Sequence, residues 1–323
     1  TSVYGSAWAE THEGAIIDDF TNQNQNESFI VNGGDSTAVD IDGKVVEILT
    51  INPNNGNITI NSNISGLDLN NSSVTLKAIG NNIIESKRDG IVSIGNSTVS
   101  LSAVSNLISV KDSKGSQVNG IHAEDNSNII INSESEGIYI NVETVGTMAH
   151  GINVGDVNDG GRVELKTKND DITINIKTGS PNAKNGNVYG IQADKIGTVI
   201  LNSGKNVIIT TESQIVEQAS GGNNVSALEA DNDSFVDIDA GGFIEITSAD
   251  VNATVYGLRA NEGDSFIDVD SKGKNENDYG LVVNTEGKLS HAVYAQNGKV
   301  DVNAKNGGIY INSDGTETTD AIY

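Results

Sequence analysis

The chain has 323 residues, a formal charge of −25 from 44 acidic and 19 basic residues, and no cysteine. Those values exclude disulfides and thiolate metal sites, and charge repulsion sets the chain against nucleic acid and anionic membranes. Aliphatic residues are ample while aromatics make up 4%, which argues for a folded chain with a thin apolar interior rather than for disorder.

The opening "TSVYGSAWAE" lacks a charged segment followed by an apolar one, so it does not read as a signal peptide. No run approaches the roughly 18 apolar residues of a membrane-spanning helix. Residues 1–35 fit no repeat; "AETHEGAIIDDF" is predicted to cover the open N-terminal edge of a repeat array, as a cap or lead-in.

A period begins at residue 36. A small residue ahead of an aliphatic one recurs at Ala38, Gly66, Gly90, Gly120, Gly151, Gly190, Ala227, Gly257, Ala292 and Ala321, in steps of 24 to 39 residues. Three short apolar pairs follow each corner, such as Ile121/Ala123, Ile129/Ile131 and Ile138/Ile140. Alternation at period 2 is the strand signature. Three strands per unit, joined by polar turns, bury their apolar faces by stacking coil on coil, with equivalent strands paired in parallel about 4.8 Å apart. The expected fold is therefore all-β: a parallel β-helix, or β-solenoid, with three strands per coil and about nine coils over residues 36–323. Ile121, Ile152, Ile191, Leu258 and Val293 are predicted to form one interior column. The corner Gly or Ala fits where a larger side chain would collide. Asn132, Asn202, Asn141 and Asn175, which close strands, are predicted as turn residues with left-handed backbone. A helical repeat fails on period, and a β-sandwich does not explain the regular corners.

Between the third strand and the next corner, "KTGSPNAKNGNV" (177–188) and "TESQIVEQASGGNN" (211–224) are long. They follow neighbouring coils and should protrude side by side. Two readings fit: tolerated insertions, or a binding patch with Lys177, Lys184, Asn185, Glu212 and Glu217 as its residues.

Asp237, Asp268 and Asp301 each sit mid-way along a second strand, so the coil arrangement lines them up at roughly 5 Å intervals. Asp239 and Asp270 lie two residues on. The row reads as a solvated acidic face, as a site for a hard cation such as calcium, or as paired catalytic carboxylates. His150 and His291 share with Tyr189 and Tyr256 the position before the corner, which fits packing or a turn better than metal binding. Outward positions of the first strand (Val92, His122, Asn153, Gln192, Glu229, Arg259, Tyr294) form a mixed surface that could hold a ligand but contains no catalytic constellation. "DVNDGG" (156–161) lacks the closing Glu of a calcium loop, and no phosphate loop or nucleophile elbow is present. The chain does not read as an enzyme. "TTDAIY" stops inside a new first strand, so the solenoid reads as truncated at its C-terminal end.

The coil "NGIHAEDNSNIIINSESEGIYIN" (119–141), in an Asn/Gly/Ser/Asp-rich, cysteine-free and acidic chain, resembles the passenger domains of bacterial autotransporters, and most of all the self-associating adhesins. The resemblance covers about residues 36–323. It implies a right-handed helix, extracellular display on the bacterial cell surface, and a role in adhesion, cell–cell aggregation or biofilm formation. It also implies a partner that is a host or bacterial surface protein, a glycan, or a second copy of the chain. The outer-membrane barrel of that family and the protease triad of some members have no counterpart in this sequence. Two alternatives stand beside it. A pectinase-like carbohydrate-active enzyme would need the Asp row in a cleft with basic partners, and the only arginines are Arg88, Arg162 and Arg259. A trimeric adhesin head or phage tail spike would bring shorter coils or heptads.

Overall fold

A computed structural model of the chain describes residues 10–18, 20–22, 28–50, 56–113, 117–146, 148–155, 160–179, 186–214 and 224–323. Every named element is a β-strand, and the pairings between strands of successive coils are parallel, as in Ile121↔Ile152↔Ile191↔Leu228↔Leu258↔Val293. The chain is a β-solenoid with three columns of strands. The first column begins two residues before the corner residue, as in Val118–Ala123 and Ala149–Val154. The second, as in Asn128–Ser133, is among the described residues a separate ten-stranded sheet. The third, as in Ile138–Thr144, shares with the first a sheet of eighteen described strands.

The shared sheet arises near the C-terminal end. Ile244–Asn261 and Tyr279–Gln296 each run as one strand through the third column and on into the next first column. Each pairs with its neighbour in both columns, with a register shift between Asp250 and Thr254. Asp250 Oδ1 accepts from the Asn252 N–H at 2.8 Å at that point, and Val251 bulges outward, 60% exposed.

The segment read as a lead-in contributes strands to the same sheets. Glu10–Glu13 pairs in parallel with Phe29–Asn32, and Phe20–Asn22 with Val46–Ile48. Ile16 bridges Val39. Coil formation therefore starts by residue 10, using Phe20 and Phe29, whose rings lie 5.8 Å apart.

The predicted interior column is buried throughout: Ile121, Ile152, Ile191 and Leu258 are fully enclosed and Val293 is 7% exposed. Stacked Ile, Val and Leu form one continuous apolar core. The corner is as tight as the sequence requires. A Cβ on Gly120 would stand 2.6 Å from the Gly151 carbonyl oxygen and from Ile140 Cγ2 of the third column. Ala227 and Ala292 mark the upper size limit at this position.

The asparagines expected in turns lie elsewhere. Asn141 and Asn175 are strand residues opposite each other, and their side chains are hydrogen-bonded at 3.1 Å. Left-handed backbone is found instead just after the first column, mostly at Asn and Asp (Asn71, Asn96, Asp125, Asn126, Asn232, Asp233 and Asn297), with Lys195, Ile196 and Glu262 at the same turn in other coils. That turn reverses tightly enough to require positive φ, which Asn and Asp tolerate. Buried serine hydroxyls close these turns: Ser234 Oγ donates to the Ala193 carbonyl at 2.7 Å and Ser265 Oγ to the Glu262 carbonyl at 2.6 Å.

Candidate functional site

The outward faces of the three columns present different chemistry. On the second column the predicted carboxylate row is in place: Asp237 pairs with Asp268 and Asp268 with Asp301, while Asp239 pairs with Asp270. Partial burial is the larger cause that raises the pKa of Asp237 and Asp268, and adjacent carboxylates raise them further. Lysines intervene, with Lys272 Nζ 2.6 Å from Asp239 Oδ2 and Lys299 Nζ 3.1 Å from Asp301 Oδ2. Among the described residues no three His, Asp or Glu side chains come together as a metal-holding group. Asp237, Asp268 and Asp301 stand as a row at one-strand spacing. Strand pairing sets that register.

The third column carries amides. Asn61 Nδ2 donates to Asn32 Oδ1 at 3.1 Å, Asn175 repeats the bond with Asn141, and Asn284 pairs with Asn312. At the edge where the long loops leave, Lys177 and Glu212 are strand partners, with Nζ 3.9 Å from Oε2. Lys184, Asn185 and Glu217 lie outside the described residues.

The first column holds the most unusual chemistry. Period 2 places Gln192, Glu229 and Arg259 outward and leaves the residue before the corner aside. Bending at the corner brings the two together. Ser226 Oγ donates to Glu229 Oε2 at 3.0 Å, and the Arg259 guanidinium lies 4.9 Å above the Tyr256 ring. Arg259 Nη1 also donates to Glu229 Oε2 at 2.9 Å. His150 stacks on Tyr189, with centroids 5.2 Å apart and planes 7° from parallel. His122 Nε2 lies 3.0 Å from Glu124 Oε1. The result is one lane along the rod, polar on its surface and aromatic in its packing.

Much of this lane is buried: Asn153 completely, and His150, Glu229 and Tyr189 to within a few per cent. Burial drives the His150 pKa down to about 3, with the charge of nearby His122 adding to the fall and a hydrogen bond to Gln192 opposing it. Burial raises Glu229 against the pull of Arg259. It also lifts Asp231 to about 6, with the Glu229 charge contributing. Asn153 Nδ2 and Oδ1, His122 Nδ1, His150 Nδ1 and Arg259 Nε are enclosed without a hydrogen-bond partner among the described residues. Buried polar atoms are nearly always paired, so the lane keeps hydrogen-bonding capacity for water or for a ligand. The mixed character of these positions is readable by counting along the strand, but their burial and their pairing across the corner are not. The recurrence of His and Tyr before the corner was the available signal.

No family model matches the chain, and neither a curated protein nor a solved structure is similar to it at a significant level.

Proposed function

We propose that the chain is a recognition rod, the adhesive passenger of a bacterial cell-surface protein, which acts by adhesion or cell–cell aggregation through its outward ladders. One observation carries this reading: equivalent outward residues stay in register from coil to coil, as with Asn141 and Asn175 on the third column and the Asp237, Asp268 and Asp301 row on the second. A rigid stack that repeats a polar side chain at one-strand spacing presents many weak contacts at once. Contacts made together add to an avidity that none has alone. The partner is a surface protein, a glycan or a second copy of the rod. Two copies repel at −25, so homotypic attachment strengthens as salt screens the charge.

Beads coated with the purified chain test the reading, against beads coated with the same chain unfolded. Folded rods should make beads clump or adhere to bacterial or host cells, with clumping increasing between low and moderate salt. Equal retention of both bead types overturns the proposal.

A further inference from the structure

The third column opens into a cleft of about 1020 Å³ near the C-terminal end of the rod. Its floor is the outward face of three neighbouring coils, with Glu245, Val282 and Tyr310 in register and Asn284 two residues on from Val282. One wall is the loop that carries Asn275, Glu276 and Asn277 into Tyr279. The Tyr279 and Tyr310 rings stand 5.1 Å apart, tilted by 43°, and Tyr310 is 40% exposed.

The wall is held firmly. Asn275 Oδ1 accepts from the backbone N–H groups of Asn277 at 2.9 Å and of Tyr279 at 3.0 Å. The Asn275 N–H donates to the Tyr279 carbonyl at 2.8 Å, and the Gly308 N–H donates to the Asp278 carbonyl at 2.8 Å. Lys274 is ion-paired to Asp278. A loop fixed at this many points keeps its shape before a ligand arrives, which lowers the ordering cost of binding.

Three features select the ligand. Among the described residues the lining has no Lys, Arg or His, and it carries Glu245 and Glu276, so phosphate, sulfate or carboxylate groups are repelled. The Tyr279–Asn284 strand of the floor is already paired on both sides, so the floor itself offers no free edge to an extended peptide, which binds largely through such an edge. What remains is recognition by side chains: amides that donate and accept, carboxylates that accept, and ring faces bearing hydroxyls. Sugars match this set, because each hydroxyl both donates and accepts while the C–H faces of the ring pack on tyrosine. The volume lies at the upper end of small-molecule sites, roughly 300–1,000 Å³, and suits a short oligosaccharide.

We infer that the Tyr279–Tyr310 cleft binds an uncharged oligosaccharide, with Asn277, Asn284, Glu245 and Glu276 bonding its hydroxyl groups. The inference rests on the reading of the chain as a recognition rod and names its ligand class.

Calorimetric titration tests it. The purified chain is titrated with neutral hexose and N-acetylhexosamine tetrasaccharides, with sialylated and sulfated counterparts, and with a lysine-rich peptide. At least one neutral glycan should bind, and its acidic counterparts should bind at least tenfold more weakly. Tyr310→Ala should weaken binding tenfold or more, since its ring is exposed enough to remove without unfolding the coil. Asn277→Ala, on the exposed loop, should weaken it severalfold while circular dichroism stays unchanged. Thr59→Ala, on the same column but near the other end of the rod, should have no effect. Binding of acidic glycans or the peptide alone, or of no ligand, overturns the inference, as does neutral-glycan binding that both cleft variants retain. Bead clumping is scored separately, so rods that clump yet bind no glycan refute the cleft and leave the adhesive reading standing.

Discussion

His150 supplies a sharp test of the first-column lane. Its ring is buried against Tyr189, and its folded pKa is about 3 against an ordinary value of 6.5. The folded chain therefore binds fewer protons at this ring than the unfolded chain does between those values. The resulting stability is fully present above pH 6.5 and is lost as pH falls toward 3. Each pH unit within that window is worth about 1.4 kcal/mol, so moving from pH 7 to pH 5 removes about 2 kcal/mol through this group. Glu229, Asp231, Asp237 and Asp268 act in the opposite sense. Their folded pKa values are raised, so their contribution grows as pH falls. The comparison must cancel these carboxylates. His150→Phe keeps a ring beside Tyr189 and removes the titration. Urea unfolding followed by circular dichroism, run on both proteins at pH 7 and pH 5, isolates the histidine. The variant should gain about 2 kcal/mol relative to the parent on acidification. A pH dependence that matches within about 0.5 kcal/mol, below the roughly 1.4 kcal/mol of a single pKa unit, would mean that His150 is not held neutral by burial.

Variants elsewhere on the rod have equally definite outcomes. Glu229→Ala should cost about 3 kcal/mol in thermal unfolding by leaving Arg259 without its partner, and Glu229→Gln less; a Glu229→Gln variant as stable as the parent would show that the charge pairing contributes nothing. Gly120→Ala should lower stability by about 1 kcal/mol and Gly120→Val by about 3, because a Cβ there meets the next coil and branching leaves it no escape. The two would be equally tolerated if the corner could open. Asp268→Asn should raise the melting temperature at low salt by relieving repulsion worth no more than about 1 kcal/mol. Calcium and sodium chloride at equal ionic strength should give the parent the same rise, whereas a larger calcium effect would show that the row does converge on an ion.

The columns, the core and the register of Asp237, Asp268 and Asp301 were legible because a small corner residue and period-2 pairs recur together. Alternation fixes which face each strand residue takes, and one coil predicts the next. The corner itself breaks alternation. Counting by twos places Tyr256 beside Leu258 in the interior, while the bend sets it next to Arg259. The lane was thus visible as a set of residues but not as a packed unit. Asparagine defeats pattern reading for a related reason, since it suits an outward strand position such as Asn141 as well as a left-handed turn such as Asn232. The cleft was illegible because its wall depends on Asn275 closing a loop beside strands of three successive coils, one before it and two after it in the chain.

The parallel pairing has a mechanical consequence. The backbone hydrogen bonds between coils point along the rod, so a load applied end to end pulls directly against them and meets few rungs at a time. The rod yields coil by coil from one end. A coil of 30 residues, such as the one from Gly90 to Gly120, releases roughly 100 Å of chain once extended. End-to-end tension is therefore dissipated in steps, and the coils still stacked keep their faces intact.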